Sequence, residues 1–293
     1  MRRLMLICLV CFASMAWAMS PEEITATLDR PQGLVLKNRA PLSGKAMGII
    51  DGKLIFRSQR GGGTLDYRYA LGEIERLQFP GNEVAFASNE LLGAGQDEEA
   101  LPLMRALYEQ RKDYLALLTI GEQAYFARYA ELEFKLGDPY AGLGAGLSLL
   151  PAIQDPQLKR TVDDLVLLGY YRLPLKQNTR QLANDWIANH EPYGPSALGY
   201  YVLGRMEFDQ DNYESALWRT LEPVALSSQF PMDYLDYCYA LAIAACVELE
   251  NETEEQSLRQ EMAQRGIAWP NIDDLAAYQE PAANPLKTEP TKP

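Results

Sequence analysis

The sequence predicts a mainly α protein: an α-solenoid of about five helical hairpins preceded by a small antiparallel β-barrel-like domain. Three observations predict it. Residues 33–79 are short apolar or alternating runs separated by turn residues. From Glu83 to about Gln264 the apolar residues recur at helical spacing instead. Those helical runs come in pairs, with small residues returning at matching places, as at Gly204 and Ala216.

Taken in order, residues 1–18 read as a secretory signal. Arg2 and Arg3 form a positive start, Leu4 to Met15 an apolar centre, and Ala16-Trp17-Ala18 a small-residue cleavage pattern. The apolar run is short of the roughly 20 residues a bilayer span needs. Cleavage after Ala18 moves the formal charge from −13 to −15, because two arginines and no acid are removed. The expected location is periplasmic or secreted, with no transmembrane segment after cleavage. A chain this acidic is not drawn to nucleic acid by its overall field.

The β-domain is placed at 19–80. Gly33–Lys37, Leu42–Ile50, Lys53–Arg57, Thr64–Ala70 and Ile74–Phe79 are its five expected strands. Asp51-Gly52 between two alternating runs is a hairpin turn that needs positive φ at its central residues. A unit this small is marginal alone and is expected to dock on the helices.

The helical region is placed at 81–278. The first pair joins Val84–Leu92 to the run after Gly95-Gln96-Asp97, with Ala100 as its small residue. The second runs from Tyr125 to Leu136, turns at Gly137-Asp138-Pro139 and continues through Leu150; Asp138 and Asp155 each precede a proline, an N-cap followed by a first-turn proline. The third pair, 161–190, is broken by Pro174 and Asn178, with Ala183 and Trp186 as its seam. The fourth is built around Leu203 and Ala216. The fifth joins Tyr234–Leu249 to Thr253–Gln264, with Thr253 and Gln256 as a capping box. Residues 279–293, rich in proline, are expected to be a disordered tail.

Little in the chain points to catalysis. After signal removal only Cys238 and Cys246 remain, about 12 Å apart on one helix and so too far to pair. His190 stands alone in a Pro/Gly-rich loop, without the partners that hydrolytic triads and zinc sites need. Asp163-Asp164, Glu254-Glu255 and Asp273-Asp274 are adjacent on helices and point apart, as solvated faces do. Gly142-Leu143-Gly144-Ala145-Gly146 lacks a preceding strand and reads as close helix packing, not a dinucleotide loop. Arg60-Gly61-Gly62-Gly63 reads as a hairpin tip. Asn251-Glu252-Thr253 fits a glycosylation pattern, but a helix start accounts for it equally. No metal, cofactor or enzymatic activity is expected.

Tyr200, Leu203-Gly204, the Asp211-Asn212-Tyr213 turn and Ala216 together resemble one tetratricopeptide repeat. The likeness extends, more loosely, over about 83–265. Gly44 after Leu42-Ser43 on a long second strand likewise resembles an Sm-like barrel. The tetratricopeptide resemblance implies that first helices line a concave groove that binds other proteins. Carried over by position, the lining residues are Arg128, Lys135, Arg172, Lys176, Tyr201, Arg205 and Phe208, with Glu131 and Asp209 among them. Their bases imply a protein or peptide partner offering an acidic segment or a C-terminal carboxylate. The alternative is that the same bases pair with Glu131, Asp209 and Glu207 as ordinary surface charges. Most tyrosines are expected in inter-helix packing. The implied function is that of an exported scaffold; a glycan- or peptidoglycan-binding envelope protein or enzyme is the other reading.

Overall fold

The computed structural model describes residues 19–60, 62–173, 175–189, 196–226 and 232–279. The signal segment, Gly61, His190 and the tail after Gln279 lie outside them. The chain divides into two compact units, one through Gly169 and one from Tyr170.

The first unit opens with helix α1, Pro21–Leu28, started by a capping box between Ser20 and Glu23. Five strands follow: β1 Gln32–Leu36, β2 Leu42–Ile50, β3 Lys53–Arg60, β4 Gly63–Ala70 and β5 Ile74–Gln78. They match the runs read from the sequence, because alternation sets which residues face inward: Leu34, Leu36, Leu54 and Phe56 are all buried. The turn Asp51-Gly52 has φ of 50° and 70°, the positive values its sequence demands.

The expected barrel is not formed. The strands make an open antiparallel sheet in the order β4-β3-β2-β1-β5, leaving β4 and β5 as its edges. Alternation specifies faces, whereas closure depends on strand tilt and stagger, which no local pattern sets. Strand β2 is shared along its length: Leu42–Gly44 pairs with β1, and Lys45–Ile50 pairs with β3, with a register shift between Ala46 and Gly48. Gly44 sits at the changeover. A Cβ there would lie 2.0 Å from the carbonyl oxygen of Arg57 and 2.8 Å from the Phe56 ring.

The sheet does dock on helices of its own unit. Helices α2 Asn82–Gly93 and α3 Asp97–Arg111 form the first hairpin, and a 3-10 turn η2, Lys112–Leu117, packs against β2 and β5. The buried Arg111 ties them together. Its guanidinium lies 5.3 Å from the Phe79 ring centroid and donates to the Pro80 carbonyl (3.2 Å) and to Glu122 (3.1 Å). Phe79 also packs on Tyr114, at 5.6 Å between centroids.

The second hairpin is α4 Ile120–Leu136 and α5 Pro139–Leu149. Asp138 caps α5 as expected, accepting from Tyr140 N at 2.9 Å. The triple-glycine stretch is close helix packing: a Cβ on Gly142 would meet the backbone of α4, 2.7 Å from Ala130 O and 2.9 Å from Phe134 N. Gly144, two residues on, has nothing within 4 Å. Urea unfolding of the first unit should therefore show Gly142→Ala less stable by about 1–2 kcal/mol, since backbone cannot yield as a side chain does. Gly144→Ala should be stabilising by up to about 1 kcal/mol through helix propensity. Equal effects at the two positions would refute the close crossing.

Helix α6, Pro156–Arg172, is started by Asp155, which accepts from Leu158 N at 2.8 Å, and carries the division between units. The second unit continues with α7 Lys176–Asn189, α8 Leu198–Phe208, α9 Tyr213–Leu226, α10 Leu235–Glu248, α11 Glu252–Gln264 and a closing 3-10 turn η3, Asp273–Tyr278. Ala183 and Trp186 are buried as the α7 seam. The α8–α9 crossing is as tight as its small residues imply. A Cβ on Gly204 would come within 2.7 Å of Thr220 Cγ2 and 3.4 Å of Ala216 O, with Leu203 fully buried beside it.

In α10 every residue from Cys238 to Cys246 is fully buried, and both thiols are free. Burial pushes both thiols up, Cys246 to about 11, which keeps them protonated and unreactive at neutral pH. The cap of α11 differs from the expected one: Asn251, not Thr253, accepts from Glu254 N at 3.3 Å. The helix starts two residues earlier than the Thr253 pattern implies, because Asn at the cap competes at least as well as Thr. Among the described residues, no helix is long and apolar enough to cross a membrane.

Candidate functional site

The residues assigned to the groove fall into separate groups. In the first unit, Arg128 and Lys135 lie on α4 with Glu131 between them. Arg128 donates to Glu131 at 2.7 Å and to Asp97 at 3.3 Å, and Lys135 donates to Glu131 as well. Burial works against the Glu131 carboxylate, but the two cations outweigh it and hold its pKa below the usual value. Both bases are thus engaged by acids of the chain itself.

In the second unit, Arg172 ends α6 at the surface; Lys176 opens α7, and its side chain lies outside the description. Tyr201, Arg205 and Phe208 do come together on α8. Tyr201 is buried in a cluster of rings, 5.2 Å from Tyr237 and 6.3 Å from both Tyr171 and Tyr234. Burial pushes the Tyr171 hydroxyl up to about 12. The Arg205 side chain is only 11% exposed; it donates through Nε to Asp209 at 2.9 Å and through Nη2 to Asp274 of η3. Its guanidinium carbon is 5.6 Å from the Phe208 ring centroid. Burial disfavours the Arg205 charge, but Tyr171, Asp209 and Asp274 more than offset it. Of the two readings, open cations or ordinary surface pairs, Arg128, Lys135 and Arg205 follow the second and form intramolecular ion pairs. The physical reason is that each has an acid within one helical turn, a spacing at which charges meet.

A second candidate site lies elsewhere in the second unit. It is a cleft of about 830 Å³ between the second helices of two hairpins, α9 and α11. Trp218 stands at its edge, 69% exposed, with Leu221, Ala225 and Leu258 supplying apolar lining, Glu207, Glu222 and Glu254 carboxylates, and Arg219 one guanidinium. Glu261 on the same wall is held in place: the Tyr239 hydroxyl donates to it at 2.8 Å, while Arg265 donates to Tyr239 Oη at 2.6 Å. Burial, followed by the Glu261 contact, moves the Tyr239 hydroxyl up to about 12.

This cleft was not identified from the sequence, although α9 carries a signal for it. Leu217, Thr220 and Val224 form its buried stripe, yet Trp218, Leu221 and Ala225 form a second stripe at i, i+3 and i+7. A helix apolar on two faces has more surface to cover than one neighbour can hide. Among the described residues, no group of three or more His, Cys, Asp or Glu is arranged to hold a metal ion. No known family's sequence pattern, curated protein or solved structure matches the chain.

Proposed function

We propose that this protein is an exported scaffold of the tetratricopeptide type, whose helical hairpins stack as a solenoid and hold a peptide segment of a partner protein without chemistry. The observation that carries the reading is the α9–α11 cleft, which lies on second helices and not in the first-helix groove that the resemblance implies. Its volume lies within the range of ligand sites, about 300–1,000 Å³, and its apolar lining is edged by an exposed tryptophan. Tryptophan is among the residue types most enriched at the hot spots that dominate binding energy, and an occupant of the cleft would bury the exposed ring of Trp218. With Glu207, Glu222, Glu254 and Glu261 against the one Arg219 in the lining, the occupant is an apolar segment carrying a basic side chain. On this reading the signal segment directs the chain to the periplasm or outside the cell, and the small sheet supplies a second contact surface.

The test is binding of an immobilised library of apolar peptides with and without lysine or arginine. Basic apolar peptides should bind the wild type and bind Trp218→Ala about 30-fold more weakly, the change of about 2 kcal/mol expected of a hot spot. Equal binding by the two proteins would remove the cleft from the proposal. One observation favours a second reading, a glycan ligand: exposed Trp218 beside carboxylates also offers an apolar sugar face a stacking surface. Retention of peptidoglycan fragments in place of peptides, lost in Trp218→Ala, would establish that instead.

A further inference from the structure

The α8 face that the sequence assigns to a partner is already covered. The chain's own η3 lies on it. The Asp274 carboxylate accepts from Arg205 Nη2, and four residues later Tyr278 sets its ring perpendicular to Phe208, at 6.1 Å between centroids. The Tyr278 hydroxyl donates to Glu248, and Leu275 is fully buried beneath the turn. Arg259 secures the end by donating to the carbonyls of Tyr278 (2.7 Å) and Gln279 (2.8 Å).

The grip on Arg205 is incomplete. Nε serves Asp209 and Nη2 serves Asp274, but Nη1 is buried with no acceptor among the described residues. A guanidinium presents a fork, and a carboxylate that engages both terminal nitrogens is bound more strongly than one that engages a single nitrogen. The Asp274 side chain is also 56% exposed, so water and competing groups reach it.

We propose that residues 274–278 are a resident occupant of a peptide-binding face, displaced by a partner protein's segment of the same chemistry: a carboxylate for Arg205 and, four residues on, an aromatic ring for Phe208. In the covered state the apparent affinity for such a segment is reduced by the fraction of molecules in which the face is open. The face is formed by Arg205 and Phe208 of α8, with Glu248 of α10 and Arg259 of α11 holding its far end, and excludes the α9–α11 cleft, so it stands or falls separately from the Trp218 assignment.

The probe is a fluorescent peptide of residues 270–279 added to the full chain. The Asp274→Ala/Tyr278→Ala protein should bind it at least tenfold more tightly than the wild type, and adding Arg205→Gln should abolish that gain. Trp218→Ala should leave it intact. Equal affinity for the wild type and the folded double variant, or no binding to either, would overturn the proposal. A concentration-dependent dimer of the wild type, absent in the double variant, would also overturn it by making the occupant a second copy of the chain. Should the double variant fail to fold, hydrogen exchange on the wild type decides. The Leu275 and Gln279 amides, hydrogen-bonded to Ile272 and Ala276, should exchange at least 100-fold faster than the buried amides of α10. Matching protection would mean that the turn is a fixed part of the fold and would overturn the displaceable reading.

Discussion

Gly44→Ala is expected to destabilise the first unit by about 4 kcal/mol, lowering its melting midpoint by roughly 10 °C. The added Cβ would sit 2.0 Å from the Arg57 carbonyl oxygen, more than an ångström inside normal contact, and 2.8 Å from the Phe56 ring. Arg57 cannot turn its carbonyl aside, because Lys45 and Arg57 are register partners at the start of the β2–β3 ladder. Nor can Phe56 move away, since it is one of the largest fully buried side chains. The two strands must separate, and with them the point where β2 passes from β1 to β3. Gly93→Ala is the control: nothing lies within 4 Å of its Cβ position. Differential scanning calorimetry should show the first unit's transition lowered in Gly44→Ala and unchanged or raised in Gly93→Ala. Coincident melting of Gly44→Ala and wild type would refute the close approach.

Glu133→Ala should be the next most damaging change, costing about 2–3 kcal/mol. The side chain is completely buried on α4 and accepts two bonds from Arg105, at 2.6 and 2.8 Å, and one from the Asp138 amide at 3.1 Å. Gly137 makes room for it, since a Cβ there would lie 2.1 Å from Glu133 Oε2. Half of Arg105 remains in water, which weakens the charge pair itself. The estimate therefore rests mainly on the buried carboxylate and the amide that would lose its acceptor.

This carboxylate also makes stability depend on pH. Burial alone would raise its pKa, but Arg105, the Asp138 amide and the Tyr129 hydroxyl outweigh burial and hold it below the usual 4.5. A carboxyl with a depressed folded-state pKa takes up its proton more readily when unfolded. Its contribution is therefore complete above about pH 4.5 and is lost as pH falls through the folded value. The stability gap between wild type and Glu133→Gln should narrow below about pH 4.5. A gap that stays constant down to pH 3 would show that the carboxylate's charge contributes nothing.

Elements governed by neighbours in sequence were legible. Strands β1 to β5 lie where alternation places them, and Asp51-Gly52 turns as its residue types require. The caps at Asp138 and Asp155 follow from one short side chain reaching its own helix start. The tight crossings at Gly204 and Gly142 were read from small residues alone, because only a residue without bulk permits such an approach. The buried free thiols of Cys238 and Cys246 followed from an apolar run that keeps them apart.

Features governed by distant residues were not legible. Whether the sheet closes depends on how β4 and β5 are staggered, and the open order was not written in either strand. The pairing of Arg128 and Lys135 with Glu131 was offered by their one-turn spacing, but the further bond from Arg128 to Asp97 on another helix was not. Arg205 meets Asp274, 69 residues away along the chain, and no local rule anticipates that pair. The cleft beside Trp218 arises from the spacing between α9 and α11, although the second apolar stripe on α9 marked one of its walls.

The sequence by itself determined which segments form strands and helices, how the helices of the first, second, fourth and fifth pairs pack together, and where backbones approach closely, since all three follow from side-chain period and size over a few residues. Only the tertiary structure decided that the sheet stays open, that Asp97 and Asp274 join the ion pairs of Arg128 and Arg205, that η3 covers the α8 face, and that a cleft opens between α9 and α11. Those outcomes depend on which distant surfaces meet, and a contact between residues tens of positions apart leaves no period in the chain to read.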